Sequence, residues 1–162
     1  MTGGKTPAAQ AAASRSPRRR AREFALQGLY QWQLAGNDEA AIEAHLRDCE
    51  GFDKADRDFF IGLLRGVMSQ RLTLQDQLQG FLDRPFRELS PVEACVLLGG
   101  AFELCNYPQT PYRVIINESI ELAKSFGGTD GHKYVNGVLD KLAAQLRPTE
   151  VAARHRPRGQ SR

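Results

Sequence analysis

With 162 residues, 41% of them hydrophobic, the chain suits one domain with a real core, and no apolar run approaches the ~20 residues that cross a bilayer as a helix. The N-terminus is basic with no apolar stretch behind it, which argues against a secretory signal. Three cysteines without CxxC spacing argue against a disulfide framework, so the cytoplasm is the expected compartment. The net charge of +3 conceals an asymmetry: residues 1–22 carry Lys5, Arg15, Arg18, Arg19, Arg20 and Arg22 and no acid, residues 145–162 carry five arginines against Glu150, and the body between is acidic.

Residues 1–17 are rich in Ala, Gly, Ser and Pro and lack aromatics, the composition of a disordered basic extension. A first helix is predicted from Arg18 to about Ala35. Ala21, Ala25, Gly28, Leu29 and Trp32 recur at three-to-four spacing, and Gly36 ends it. Asn37 or Asp38 caps a short second helix with Ile42 and Leu46 inward. Asp53 and Asp56 start a third, whose apolar face runs from Phe59 to Leu82. Within it Gly62 and Gly66, four apart, mark close helix packing. Ser90-Pro91-Val92-Glu93 is a capping box with proline at the first helical position, and the VEACVLLGGAFELC that follows is apolar nearly all round, as a central buried helix should be. Cys95 and Cys105 lie in its apolar runs and read as small core residues. Thr110-Pro111 opens YRVIINESIELAKSF, stopped by Gly127-Gly128. The last helix starts near Asp130, turns Val135, Val138, Leu139, Leu142 and Leu146 inward, and ends at Pro148; residues 149–162 read as a flexible basic tail that aids solubility. No segment reads as a strand. The fold class is all-α, six or seven helices joined by short links in a helical bundle, with two sub-bundles sharing the central helix as one arrangement the pattern allows.

No catalytic constellation is found. GxGxxG, GxxxxGK[ST], HExxH and GxSxG are absent, the three histidines are far apart, and no metal or cofactor is expected. Glu118 and Glu121 read as solvated surface charges, with Lys124 a partner for Glu121. Binding of a polyanion has better support. Arg18, Arg19, Arg20 and Arg22 crowd the first turn of a helix, where cations oppose the dipole, so another requirement must place them there; phosphates would supply the counter-charge. At ~100° per residue Arg19 and Tyr30 lie within ~20° of one stripe. Tyr30 then either offers a surface on which an unpaired base stacks or packs in the core like Trp32; the pattern allows both. Asp130, Lys133 and Tyr134 combine a helix N-terminus, a cation and a ring. They form a second contact point, or simply a capped helix start with Tyr134 half-buried.

RRRAREFALQGLYQWQL and PYRVIINESIELAKSFGGTDGHKYVNGVLDKL together resemble the NusB family of bacterial antitermination factors, and the similarity extends from about Arg18 to Arg147. The resemblance implies two three-helix bundles. It also implies noncatalytic binding of single-stranded boxA-type RNA from ribosomal RNA leader transcripts, and pairing with the small-subunit ribosomal protein NusE in an RNA polymerase antitermination complex with other Nus factors. It assigns RNA contact to Arg18, Arg19, Arg20, Arg22, Tyr30 and Tyr134, influence on the complex to Asp130, and places Glu93 and Glu103 near the partner surface. One departure is Leu98, where the family usually carries a basic residue. The oligomeric expectation is a monomer or weak homodimer. NusB-like domains also accompany rRNA cytosine methyltransferases, but 162 residues leave no room for a methyl-donor domain. A third reading is a purely protein-binding module whose arginines aid solubility.

Overall fold

Each predicted helix forms, and most begin where local chemistry supplies a cap. The computed structural model describes residues 15–128 and 130–155. In it α1 spans Pro17–Ala35, α2 Glu39–Arg47, α3 Arg57–Gln79, α4 Pro91–Asn106, α5 Tyr112–Phe126, α6 Gly131–Leu146 and α7 Pro148–Arg154, with 3-10 turns at Phe52–Lys54 and Phe86–Glu88. No strand occurs among the described residues. The Ser16 hydroxyl accepts from the Arg19 N–H at 3.1 Å to start α1. Gly36 stops it in the left-handed region at φ 64°, its N–H donating to the Trp32 carbonyl. Asp38 caps α2, Asp56 caps α3 through the Phe59 N–H at 3.1 Å, and Ser90 caps α4 through the Glu93 N–H at 3.3 Å. Asp53, the other expected start of the third helix, falls in the preceding 3-10 turn.

Helices α1, α2 and α3 form one three-helix unit and α4, α5 and α6 the other. Helix α4 packs against α1 and α3 as well as against α5 and α6, so it is the shared centre. Its residues Ala94–Leu98, Ala101, Phe102 and Leu104 are all buried, which is why it is apolar on every side. The two glycines of α3 make this approach possible. A Cβ on Gly66 would clash with the edge of the Phe102 ring, and one on Gly62 would sit 2.8 Å from the Tyr107 hydroxyl. Phe59 and Tyr107 meet edge-to-face at 5.2 Å between ring centres, closing the same seam.

Three features differ from the sequence expectation. Helix α3 ends at Gln79, so Leu82 belongs to the link before α4. Cys105 is exposed, on the outer side of α4, with its thiol donating to Gln77 Oε1 at 3.3 Å; only Cys95 of the pair is buried, and burial pushes its thiol pKa up to about 12. Residues Pro148–Arg154, the first part of the expected tail, turn into α7. The reason is Arg147, whose guanidinium donates to the carbonyls of Tyr107 (2.8 Å), Thr110 (2.6 Å) and Leu104 (3.1 Å) and to Glu150 Oε1 (3.1 Å). Glu150 in turn accepts from the Tyr112 N–H at 2.7 Å, so one side chain gathers the ends of α4 and α6 and the start of α5. The N-terminal extension lies outside the described residues as far as residue 14, and the C-terminal stretch lies outside them from residue 156. Pro17, placed in that extension, is the first residue of α1.

Candidate nucleic-acid interface

The arginines of α1 share one turn, but the fold gives them different neighbours. Arg18 is exposed, its guanidinium 4.4 Å above the Phe59 ring and 3.9 Å from Asp56. Arg19 reaches across to α5, where Nε and Nη2 donate to the two carboxylate oxygens of Glu118 at 2.9 and 2.8 Å. That pairing holds its pKa above the ordinary arginine value. Arg20 is half-buried beside Gly51 and is itself engaged. Arg22 is a correction. It is 6% exposed and donates side-on to Glu103 of α4, Nε to Oε2 at 2.9 Å and Nη2 to Oε1 at 2.8 Å. Glu103 is 3% exposed, so it is not a partner-facing residue either. The two expected surface residues are each other's partners, because a charge on the buried side of α1 or α4 is tolerated only when neutralised and hydrogen-bonded. Glu118, read as solvated, is also largely covered, whereas Glu121 and Lys124 pair at 3.8 Å in the open as expected.

Eleven residues after Arg19, on the same stripe of α1, Tyr30 is 39% exposed. The core alternative for its ring is therefore set aside. It lines a groove with Leu26, Gln27 and Gln31 of α1, Val92 at the start of α4 and Phe126 at the end of α5. Phe126 is itself 41% exposed, so two aromatic rings are presented along one apolar cleft.

The groove borders the start of α6. Gly127 lies against Val92, and a Cβ on Gly131 would come within 2.7 Å of Glu93 Oε1. Glu93 is half-buried, its carboxylate laid against the first residue of α6, where the helix dipole favours negative charge. Asp130 makes no side-chain cap and instead pairs with Lys133 at 3.5 Å, both well exposed. Tyr134 is half-buried, which either of its two readings allows, and it is tied to the link between α3 and α4. Its hydroxyl donates to Asp83 Oδ1 at 2.9 Å and accepts from the Asp83 N–H at 3.3 Å. Arg84 stands 5.3 Å over the ring while Nε donates to Asp83 Oδ1 at 2.8 Å. The Arg84 guanidinium, with help from the Tyr134 hydroxyl, holds the Asp83 carboxyl down at about 2.

The NusB family model matches residues 19–144. The chain belongs to the NusB family. It is 69% identical over 140 residues to the transcription antitermination protein NusB of Dechloromonas aromatica (strain RCB), covering 86% of each chain. It is 58% identical over 154 residues to the protein of the same name from Ralstonia nicotianae, covering 95% of this chain and 99% of the relative. Among solved structures it is similar to T. maritima NusB, with a TM-score of 0.74 and 28% identity over 86% of this chain and 99% of that one. Its fold is shared by a crystal structure of the antitermination factors NusB and NusE in complex with dsRNA, with a TM-score of 0.70 and 21% identity over 80% of this chain and 97% of that one.

Within this NusB fold, sequence reasoning missed Val92, Phe126, Asp83, Arg84 and the covered role of Glu118. A helical wheel carries no sign of them, because each meets its partner across two elements. Leu98, where the resemblance led to the expectation of a basic residue, is buried and lines a separate hollow with Trp32, Arg71 and Phe86. Among the described residues no helix is long and apolar enough to cross a membrane, and no cluster of side chains is suited to a metal ion.

Proposed function

We propose that this NusB-family protein is a noncatalytic cytoplasmic antitermination factor. It binds single-stranded boxA-type RNA in ribosomal RNA leader transcripts together with NusE, as part of the RNA polymerase antitermination complex with other Nus factors. The observation that carries the reading is Tyr30, an exposed ring in an apolar groove on the same stripe of α1 as Arg19. An unpaired base gains by leaving water for such a ring, and the guanidiniums about three turns earlier on the same stripe suit phosphates a few nucleotides along the strand. The names of the relatives support an antitermination role, and the dsRNA and NusE held by the protein of like fold support contact with RNA and with NusE. Arg18, Arg19 and Arg20 are assigned to phosphate, Tyr30 to a base, and Tyr134 with Asp130 and Lys133 to the far end of the strand. Glu93 is assigned to a partner-bearing edge.

Titration of a short boxA-like single strand against its duplex and a scrambled strand, with and without NusE, tests the reading. Expected is a preference for the boxA-like single strand, tighter with NusE, whose affinity falls steeply with salt as counterions are released. Tyr30→Ala should weaken it by ~1–3 kcal/mol with the melting temperature unchanged. A flat salt response and no preference over the scrambled strand would refute the reading.

A further inference from the structure

Resting on that reading of α1, we propose that Glu118 and Glu23 set the specificity of the RNA surface by masking its arginines, so that a phosphate engages them only in exchange for a carboxylate. An open cluster of arginines attracts any polyanion, because each phosphate adds attraction and nothing is given up. Here something is given up at Arg19 and at Arg15. Arg19 has two of its donors already committed to Glu118, whose carboxylate also lies 4.0 Å from Arg22. Arg15 Nε sits 3.5 Å from Glu23, a carboxylate whose pKa burial pushes up. The hollow that these residues enclose is bounded by Glu23, Glu118 and Glu121 against Arg15 and Arg19, three carboxylates to two guanidiniums. A phosphate entering it meets repulsion before it meets a free donor.

The salt response carries the signature of this exchange. A phosphate that takes Arg19 from Glu118 releases counterions from the RNA, but the freed carboxylate takes cations up, so the net release is smaller than for an unmasked arginine. Backbone contact at Arg19 is then weaker, and its share of the salt slope smaller, than an unmasked arginine would give, while Arg18 and Arg20 still contribute theirs. Contact becomes favourable where a base also occupies the Tyr30 groove further along the same stripe. Masking thus converts a general polyanion site into one that requires bases in the right place.

The test uses the full chain, its Glu118→Gln and Glu23→Gln variants, and two labelled RNAs, a uridine dodecamer and a boxA-like dodecamer, titrated by fluorescence anisotropy from about 50 to about 200 mM KCl. Glu118→Gln should bind the uridine strand about threefold tighter at the low-salt end, the worth of one ion pair at the surface edge. Its log–log salt slope should steepen by about 0.7, the increment for one added phosphate contact on a single strand. The preference for the boxA-like strand should narrow. Glu23→Gln should move in the same direction, and it keeps the test decisive if loss of the Glu118 pairing prevents folding. Unchanged or weaker binding in the variants, with the parent chain still binding RNA in a salt-dependent way, overturns masking and leaves the RNA reading standing. A parent chain that binds neither RNA overturns both.

Discussion

Replacing Arg22 by methionine should be among the most destabilising single changes in the protein. The guanidinium is 6% exposed and makes two short bonds to Glu103, which is 3% exposed. Removing it leaves a carboxylate without its partner in a pocket otherwise walled by Leu26, Leu29, Leu63, Val67 and Val96. Breaking a buried pair from one side costs about 3–5 kcal/mol, because the remaining charge keeps its desolvation penalty and loses its compensation. For a domain of this size each kcal/mol shifts the midpoint by roughly 2–4 °C, so the melting temperature should fall by about 6–20 °C. Glu103→Leu alone should be comparably damaging, since it strands the guanidinium. The double variant Arg22→Met/Glu103→Leu should recover most of the loss, because apolar side chains of similar volume suit those walls. Thermal and urea unfolding followed by far-UV circular dichroism give the cycle. A single Arg22→Met variant that loses less than about 1 kcal/mol would refute the reasoning, since that is the worth of an exposed pair.

Gly66→Ala should destabilise by about 1–3 kcal/mol, as overpacking does, because the new methyl group would clash with the edge of the Phe102 ring. Phe102→Leu in the same background should relieve part of that, and urea midpoints measure both. Asp83 gives a pH prediction. Its folded carboxyl is held down at about 2, below an ordinary 3.8 that the unfolded chain would show. A depressed acid contributes stability that is present above 3.8 and lost as pH falls through about 2, so the Tyr134–Asp83–Arg84 contact should survive mild acid. An NMR titration of the Asp83 carboxyl with its midpoint near 3.8 would contradict this, and Arg84→Ala should move the midpoint up toward that value.

The local signals were legible because they act over a few residues. Asp56, Ser90 with Pro91, and Gly36 are start and stop chemistry confined to one turn, and each works as its residue type requires, whereas the Ser16 cap of α1 was seen only in the structure. The close approach at Gly62 and Gly66 was legible too, since two missing side chains on one face leave a notch whatever fills it. That Phe102 and Tyr107 fill it was not. Cys105 shows the limit of reading burial from neighbours in sequence: its run is apolar, but its own direction on α4 faces outward. Arg147 shows another limit. Nothing near it in sequence marks it as the clasp of three helix ends, because its acceptors are carbonyls of Leu104, Tyr107 and Thr110, some forty residues earlier.

The sequence by itself determined the helices, their order, the buried central helix and the family. Periodicity, caps and two near-continuous blocks of residues are properties of the chain read in one dimension. Charge was different. Four arginines in one turn look alike in sequence, yet Arg18 lies in the open, Arg19 is held by Glu118, Arg20 is half-buried and Arg22 is sealed against Glu103. Only the tertiary structure decided among them. What an ionised group does depends on the dielectric around it and the charge opposite it, and both are supplied by helices distant in the chain.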